Sequence, residues 1–391
     1  MSIAPPTPST PGRPLDSQVG GHPGVMTTED GSMLIKPALP VEIEFYQTVL
    51  NDPQFEVLRP YVPRFYGTLR LEGQIDPAKS ADGTIAVTAD SVEAIKEVQR
   101  DKSLLLIENL SHRFSKPNIM DIKLGTKLYD ESASEEKRAR MIKTAMETTS
   151  YKTGVRLTGF QVYDLSRGVP VSTPRTYGKA LRADDLPEGM TRFFPHSPQP
   201  SPPGSRTASP PERTPALTPA ITPAELPLVD HLNHHLGRLD DPEEMFNGTG
   251  LPPDILLPLL QSLRADVEEI RGALAKVNVR MVGASLLIVY EADWDRCREG
   301  LKRLLEDGDE KDGEDEDDED CEDESDDDDD DPQKTPAVPY AVKLIDFAHT
   351  RVVPGQGPDE SVLTGMDTVL KLLDGRIQEV DALLKSTSSD A

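Results

Sequence analysis

Asp346 stands at the end of the apolar run Val342-Lys343-Leu344-Ile345. A carboxylate emerging from a buried strand is costly unless it is paired or coordinates a cation. Magnesium suits such a position, because a hard divalent ion takes carboxylate oxygens and substrate phosphates as ligands. Lys36 closes another short apolar stretch, after Gly20-Gly21-His22-Pro23-Gly24 and before a predicted helix that contains Glu42. A strand lysine on nucleotide phosphates, held by a helix carboxylate and covered by a glycine-bearing hairpin, is an arrangement used for phosphoryl transfer. Ser103 to Leu110 reads Ser-Leu-Leu-Leu-Ile-Glu-Asn-Leu, a buried strand running into a polar pair, which suits a hinge offering backbone groups to adenine. Each observation has a plainer alternative: Asp346 as a turn cap, Lys36 as a solvated strand end, and 103–110 as an ordinary strand.

The elements that would position these groups follow from periodicity. Ser32 to Lys36 after the turn pair Asp30-Gly31, Phe65 to Leu71, and Ser103 to Glu108 are strand-like. Val41, Phe45, Val49 and Leu50 are spaced for a helix. Further on, Ser134 to Glu147 predicts a charged helix, Val155 to Val162 a strand, and Tyr177 to Leu181 a short element. Asp254 is the expected N-cap of a helix presenting Leu256, Leu259, Leu260, Leu263, Val267, Ile270 and Leu274 on one side. Strands are expected at Met281 to Tyr290 and Tyr340 to Phe347, and a last helix at Val362 to Leu384. The fold class is α+β, two-lobed: an N-terminal antiparallel sheet with one helix, and a larger C-terminal lobe.

Length and composition fit that division. At 391 residues the chain exceeds a comfortable single core, while 36 prolines and an apolar fraction of 36% leave part of it without the means to order itself. The expected parts are a disordered tail over 1–20, an ATP-covering lobe over 21–110, and a substrate segment opening the second lobe over 111–194. A Pro/Ser/Thr insertion follows over 195–250, then 251–305 of the second lobe, an acidic insertion over 306–338, and a closing part over 339–391. Of the formal charge of −27, Glu306 to Asp331 holds 21 acidic residues against one lysine, leaving −7 for the rest. Such a body can still carry a local positive site. Cys297 and Cys321 are the only cysteines, so neither a disulfide framework nor a cysteine zinc site is expected. With no secretory signal and no apolar run of membrane-spanning length, the expected localisation is nucleus and cytoplasm.

Pro117 to Gly125 reads Pro-Asn-Ile-Met-Asp-Ile-Lys-Leu-Gly, fitting P-x-x-x-D-x-K-x-G. By this signature the chain resembles the inositol polyphosphate kinase family. The likeness extends through Lys36-Pro37 with Glu42, Phe45 and Tyr46, Val62-Pro63-Arg64-Phe65-Tyr66-Gly67, Glu108-Asn109-Leu110, Thr148-Thr149-Ser150, Tyr177-Gly178-Lys179, Ser285-Leu286-Leu287, Tyr290-Glu291 and Ile345-Asp346-Phe347. The resemblance implies ATP and Mg2+ as cofactors and inositol polyphosphates as acceptors. It places Lys36 on the ATP phosphates with Glu42 behind it, Glu108 and Leu110 at the adenine hinge, and Asp346 on the metal. Asp121 matches a nucleotide and active-site aspartate, and Lys123 the lysine between the transferred phosphate and inositol. Asp121, Lys123 and Asp346 are then the catalytic set.

From Lys116 to Arg182 there are thirteen Lys and Arg against seven Asp and Glu, a basic island suited to a multiply phosphorylated ring. Lys137, Arg140 and Lys143 recur every three residues on the predicted helix, and the first two sit where the family's substrate helix makes its contacts. Gln161, Lys179 and His349 are further substrate candidates, with a merely solvated helix face as the alternative. Within the family, Leu124 to Asp130 and a short substrate segment favour the multikinase branch, acting on inositol tris- and tetrakisphosphates. The hexakisphosphate kinase branch is second, since it shares Ala348-His349-Thr350 and the Ala133 to Arg140 segment. Phe347-Ala348-His349-Thr350 departs from the glycine and lysine of trisphosphate 3-kinases.

A protein kinase is disfavoured by the lack of an H-R-D-x-x-x-x-N loop and of G-x-G-x-x-G. A role of another class is an interaction protein whose acidic run attracts basic nuclear or transcription proteins. Direct nucleic-acid binding is not expected, because basic aromatic patches are missing and Trp294 and Phe160 read as packing residues. His231, His234 and His235 lack partners at metal-ligand spacing.

Overall fold

The computed structural model describes residues 13–15, 19, 24–70, 103–173, 175–197, 250–310 and 336–389. Gly20 to Pro23, His231, His234, His235, and most of the expected tail, Pro/Ser/Thr insertion and acidic insertion lie outside the described residues.

The first lobe is a five-stranded antiparallel sheet. Its strands are β1 (Arg13–Pro14), β2 (Met26–Thr27), β3 (Met33–Pro37), β4 (Phe65–Arg70) and β5 (Ser103–Glu108), in the order β1-β2-β3-β5-β4. The turn into β3 closes because Gly31 adopts φ 82° and donates its N–H to the Thr28 carbonyl, while the Asp30 carboxylate accepts from Ser32 N. Helix α1 (Pro40–Asn51) starts with a proline at N1, where no backbone donor is needed, and buries Phe45, Tyr46 and Val49.

The second lobe is built on the antiparallel sheet β11-β10-β6-β7-β8. These strands are β6 (Pro117–Leu124), β7 (Val155–Asp164), β8 (Val169–Ser172), β10 (Ser285–Glu291) and β11 (Tyr340–Ile345). Helices α2 (Glu135–Glu147), α3 (Ser150–Thr153), α4 (Arg175–Ala180), α5 (Leu186–Phe193), α6 (Pro253–Leu274), α7 (Trp294–Glu310) and α8 (Glu360–Ser389) surround it. A two-stranded ribbon of β9 (Val279–Met281) and β12 (Thr350–Val352) stands apart.

Strand alternation decides which chemistry meets the cleft. On β6, Met120, Ile122 and Leu124 enter the main core with Leu256, Leu259, Leu263 and Val267 of α6, each contributing on the order of 2 kcal/mol by burial. Asp121 and Lys123 therefore leave by the opposite face, where cross-strand register sets Asp121 beside Leu287 and Lys123 beside Ser285 and Arg156. On that face Leu110, Phe114, Ile119 and Val289 form a small apolar cluster of their own.

Glycine permits two close approaches that hold the acceptor side together. A Cβ on Gly178 of α4 would lie 1.7 Å from the Leu157 carbonyl oxygen of β7. One on Gly154, whose φ is 69°, would lie 2.6 Å from the backbone nitrogen of Gly365 in α8.

Several expected boundaries change. Pro252, not Asp254, is the N-cap of α6, because Pro253 takes the first helical position; Asp254 lies in the first turn. The expected strand Met281 to Tyr290 divides into β9 and β10 at Gly283, whose φ of 79° breaks the ladder. β11 stops at Ile345 rather than running to Phe347. Helix α7 continues to Glu310, into the span expected to be disordered, and His196 makes a bridge to Leu251 inside the expected Pro/Ser/Thr insertion. Phe160 packs edge-on against Tyr177 and Phe193, and Trp294 Nε1 donates to the Gly250 carbonyl, so both are packing residues as expected.

Candidate active site

The cleft is organised around Asp346. Its backbone has φ 66°, and among the described residues it is the one non-glycine with positive φ. That conformation costs on the order of 1 kcal/mol and turns the carboxylate away from the line of β11. Lys36 Nζ lies 2.9 Å from Asp346 Oδ1 and 2.8 Å from Glu42 Oε1. Lys123 Nζ lies 2.5 Å from Asp346 Oδ2 and 3.9 Å from Asp121 Oδ2. Two lysines from different lobes thus converge on one carboxylate. Phe45 of α1 stacks on Phe347 at 4.5 Å between centroids, so an apolar contact backs the ionic one.

The charges respond to this packing. Burial opposes ionisation of Asp346, but Lys123 and Lys36 outweigh it and hold the carboxyl well below the ordinary aspartate range. Burial opposes the charge on Lys36 too, and Asp346 and Glu42 reverse that, raising its pKa. Asp121 behaves differently. It is 1% exposed, burial pushes its pKa up despite Lys123, and its Oδ1 has no hydrogen-bond partner among the described residues.

That orphaned oxygen beside the Asp346 carboxylate tests the fit of a divalent ion. Among the described residues no cluster of three or more His, Cys, Asp or Glu could hold a metal by itself. One or two carboxylates are nevertheless what Mg2+ uses when nucleotide phosphates and water complete its shell, and hard oxygen donors suit it. The residues fit ATP with Mg2+: the lysines would hold phosphate oxygens, and Asp346 with Asp121 the ion.

The expected residues divide by placement. Lys36, Glu42, Asp121, Lys123 and Asp346 come together. At the hinge, Glu108 Oε2 accepts from Arg64 N and Glu108 N donates to Arg64 O, so this side chain is engaged within the lobe. Leu110 is buried in the small apolar cluster. Lys137 lies close enough to Asp130 to favour its charge. His349 Nδ1 is 3.0 Å from Asp130 Oδ2, and both residues line a cavity of about 240 Å³ with Lys127, Tyr129, Arg280 and Arg351. Arg140 and Lys179 are exposed.

Two expectations meet other partners. Lys143 Nζ is 3.7 Å from Glu147 on a largely exposed side chain, and six residues beyond Lys137 it lies about 120° round the helix from it. Gln161 is buried, and its amide donates to the Pro117 carbonyl. One residue was not foreseen. Arg156 pairs across the strands with Lys123, and burial lowers its pKa while the nearby Asp121 opposes this. It has no ion-pair partner within 4 Å among the described residues, although Asp121 is near enough to favour its charge.

Comparison with known proteins gives the same answer. The family model described as inositol polyphosphate kinase matches residues 104–208 and 253–374. The inositol polyphosphate multikinase of Saccharomyces cerevisiae is 29% identical over 381 residues, covering 92% of this chain and 97% of that protein. Inositol hexakisphosphate kinase 1 of Rattus norvegicus is 23% identical, covering 72% and 54%. A crystal structure of inositol phosphate multikinase from S. cerevisiae, in complex with ADP and Mn2+, shares the fold with a TM-score of 0.52 and 22% identity, covering 88% of this chain and 98% of that one. With the family model spanning more than half of its length and the signature residues gathered at the cleft, the chain belongs to the inositol polyphosphate kinase family.

Proposed function

We propose that this chain is an ATP-dependent inositol polyphosphate kinase of the multikinase type, transferring the γ-phosphoryl group of ATP to hydroxyls of inositol tris- and tetrakisphosphates. The observation that carries the reading is the convergence of Lys36 and Lys123 on Asp346, with the basic helix α2 following β6. The extended likeness to the S. cerevisiae multikinase, against the shorter and weaker one to the hexakisphosphate kinase, favours the multikinase branch.

Phosphoryl transfer asks a protein mainly to position reactants and neutralise charge. Lys36 binds donor phosphates and is kept in place by Glu42, so it is oriented before nucleotide arrives. Lys123 stands between Asp346 and the acceptor side, where it can follow the transferred group. Arg156 adds a second cation there for an acceptor phosphate. Asp121 would offer its unpartnered buried oxygen to the ion beside Asp346. When bound, Mg2+ supplies charge neutralisation between donor phosphates.

The test is incubation of the purified chain with ATP, Mg2+ and either a defined inositol trisphosphate or inositol hexakisphosphate, followed by chromatographic separation of the products. Turnover of the trisphosphate and not of the hexakisphosphate is the expected result. The reverse preference moves the chain to the hexakisphosphate kinase branch, and no turnover of either defeats the proposal.

A further inference from the structure

We propose that Asp130 is the positioning residue for His349: by accepting a hydrogen bond from Nδ1–H it fixes the imidazole and leaves Nε2 as the nitrogen presented to the inositol phosphate. The inference rests on the kinase reading above and gives a role to a residue outside the cluster around Asp346.

The geometry is specific. His349 Nδ1 and Asp130 Oδ2 are 3.0 Å apart, and the other Asp130 oxygen accepts from Ser132 Oγ at 2.7 Å. The hydrogen bond from Ser132, with the nearby His349 and Lys137, keeps the Asp130 carboxyl below its ordinary pKa against the opposing effect of partial burial. Asp130 is therefore a carboxylate, which accepts only, and Nδ1 must be the donating nitrogen. The His349 carbonyl also accepts from Val282 N at 3.2 Å, so the backbone is held as well as the ring. Asp130 thereby joins the strand that carries Lys123, the helix that carries Lys137, and the turn that follows Asp346. With Nδ1 committed, Nε2 can accept from a ring hydroxyl when neutral or donate to a phosphate when protonated. Without the carboxylate the ring can rotate or exchange tautomers, and this contact loses its direction.

The test is a double-mutant cycle in the full chain with Asp130→Ala, His349→Ala and the double variant, measuring KM for the inositol trisphosphate and for ATP separately. Asp130→Ala is expected to raise KM for the inositol phosphate about tenfold, leave KM for ATP unmoved, and add nothing in the His349→Ala background. Asp130→Asn keeps an oxygen acceptor for Nδ1 and should recover most of the loss, which also serves if the alanine variant folds poorly. A full additional loss in the His349→Ala background, or equal loss of ATP affinity, overturns the inference. Turnover by the unsubstituted chain in the same assay separates failure of this inference from failure of the kinase reading.

Discussion

Lys36 and Asp346 lie 310 positions apart in the chain and meet across the cleft with Nζ and Oδ1 2.9 Å apart. The same carboxylate takes Lys123, so removing its charge leaves two largely buried ammonium groups near each other. Asp346→Asn should therefore destabilise the free protein by about 3 kcal/mol, as loss of one partner from a buried ionic cluster does. It should also slow phosphotransfer at least a hundredfold. Because the folded pKa of Asp346 is depressed, the stabilisation is complete above the ordinary aspartate value of about 3.9 and is lost as pH falls through the folded value. Thermal melts of both proteins between pH 3 and pH 7 check this: equal stability at neutral pH would refute it.

Asp121 should give the opposite sign in stability. Its carboxyl is buried, its Oδ1 is unpartnered, and its pKa is raised, so the folded protein bears a charge it would rather lose. Any stabilisation from the protonated form is present below about 3.9 and is lost as pH rises through the raised folded value. Asp121→Asn should then stabilise the fold at pH 7.5 by on the order of 1 kcal/mol, read as a higher melting temperature, and by less at pH 4. The same substitution should cost a hundredfold or more in rate, stability having been exchanged for function. A melting temperature lowered at pH 7.5 would contradict this account.

Arg156 is expected to serve the acceptor and not the nucleotide. It neighbours Lys123 across β6 and β7, on the side of the strand away from Ser285 and the β10 edge. Arg156→Ala should raise KM for the inositol phosphate by roughly ten- to a hundredfold, the loss expected for a hydrogen bond to a charged group. KM for ATP should stay within about twofold, and steady-state kinetics with each substrate varied in turn would reveal the opposite pattern if the arginine served the nucleotide.

Arg156 also shows where sequence reasoning stops. In Val155-Arg156-Leu157-Thr158 it occupies an ordinary polar slot of an alternating strand, and nothing local distinguishes it from a solvated residue. Its importance arises from register, including the irregularity between Asp121 and Ile122 that sets Arg156 against Lys123. Lys36 and Asp346 were legible because charges at the ends of apolar strands are locally anomalous. Asp121 and Lys123 were legible through their signature spacing, and the two-lobed α+β fold through the strand and helix periods. Sequence could not foresee the partners of Lys143 and Gln161, because they depend on placement: one pairs with Glu147 along its own helix, and the other donates its amide to the Pro117 carbonyl on a neighbouring strand. The left-handed turn at Asp346 needs a non-glycine in a conformation that composition does not announce.

The acidic run should be separable from catalysis. The described chain leaves the second lobe at Glu310 and returns at residue 336, beside β11, so the active-site residues all belong to the described parts. Deleting 312–331 should leave kcat and both KM values within about twofold while removing 17 acidic residues. If the run recruits basic nuclear proteins, as its charge suggests, binding of the deleted chain to a histone-like basic peptide should fall and its salt dependence flatten. Unchanged binding would make the run inert in this respect.

Gly178 carries a prediction about folding that is independent of charge. It lies in α4, where a Cβ would fall 1.7 Å from the Leu157 carbonyl oxygen and 2.9 Å from its carbon, both backbone atoms that cannot swing aside. Helix and strand would have to part by more than an ångström, opening the packing of Phe160, Tyr177 and Phe193 behind them. Gly178→Ala, although favourable for an isolated helix, should cost about 3 kcal/mol of stability, in the range of severe overpacking. The displacement would reach β7, and with it Arg156, so KM for the inositol phosphate should rise before the protein unfolds globally. Chemical denaturation and acceptor kinetics on the one variant test both parts, and a gain in stability would mean that α4 does not lie as closely on β7 as described.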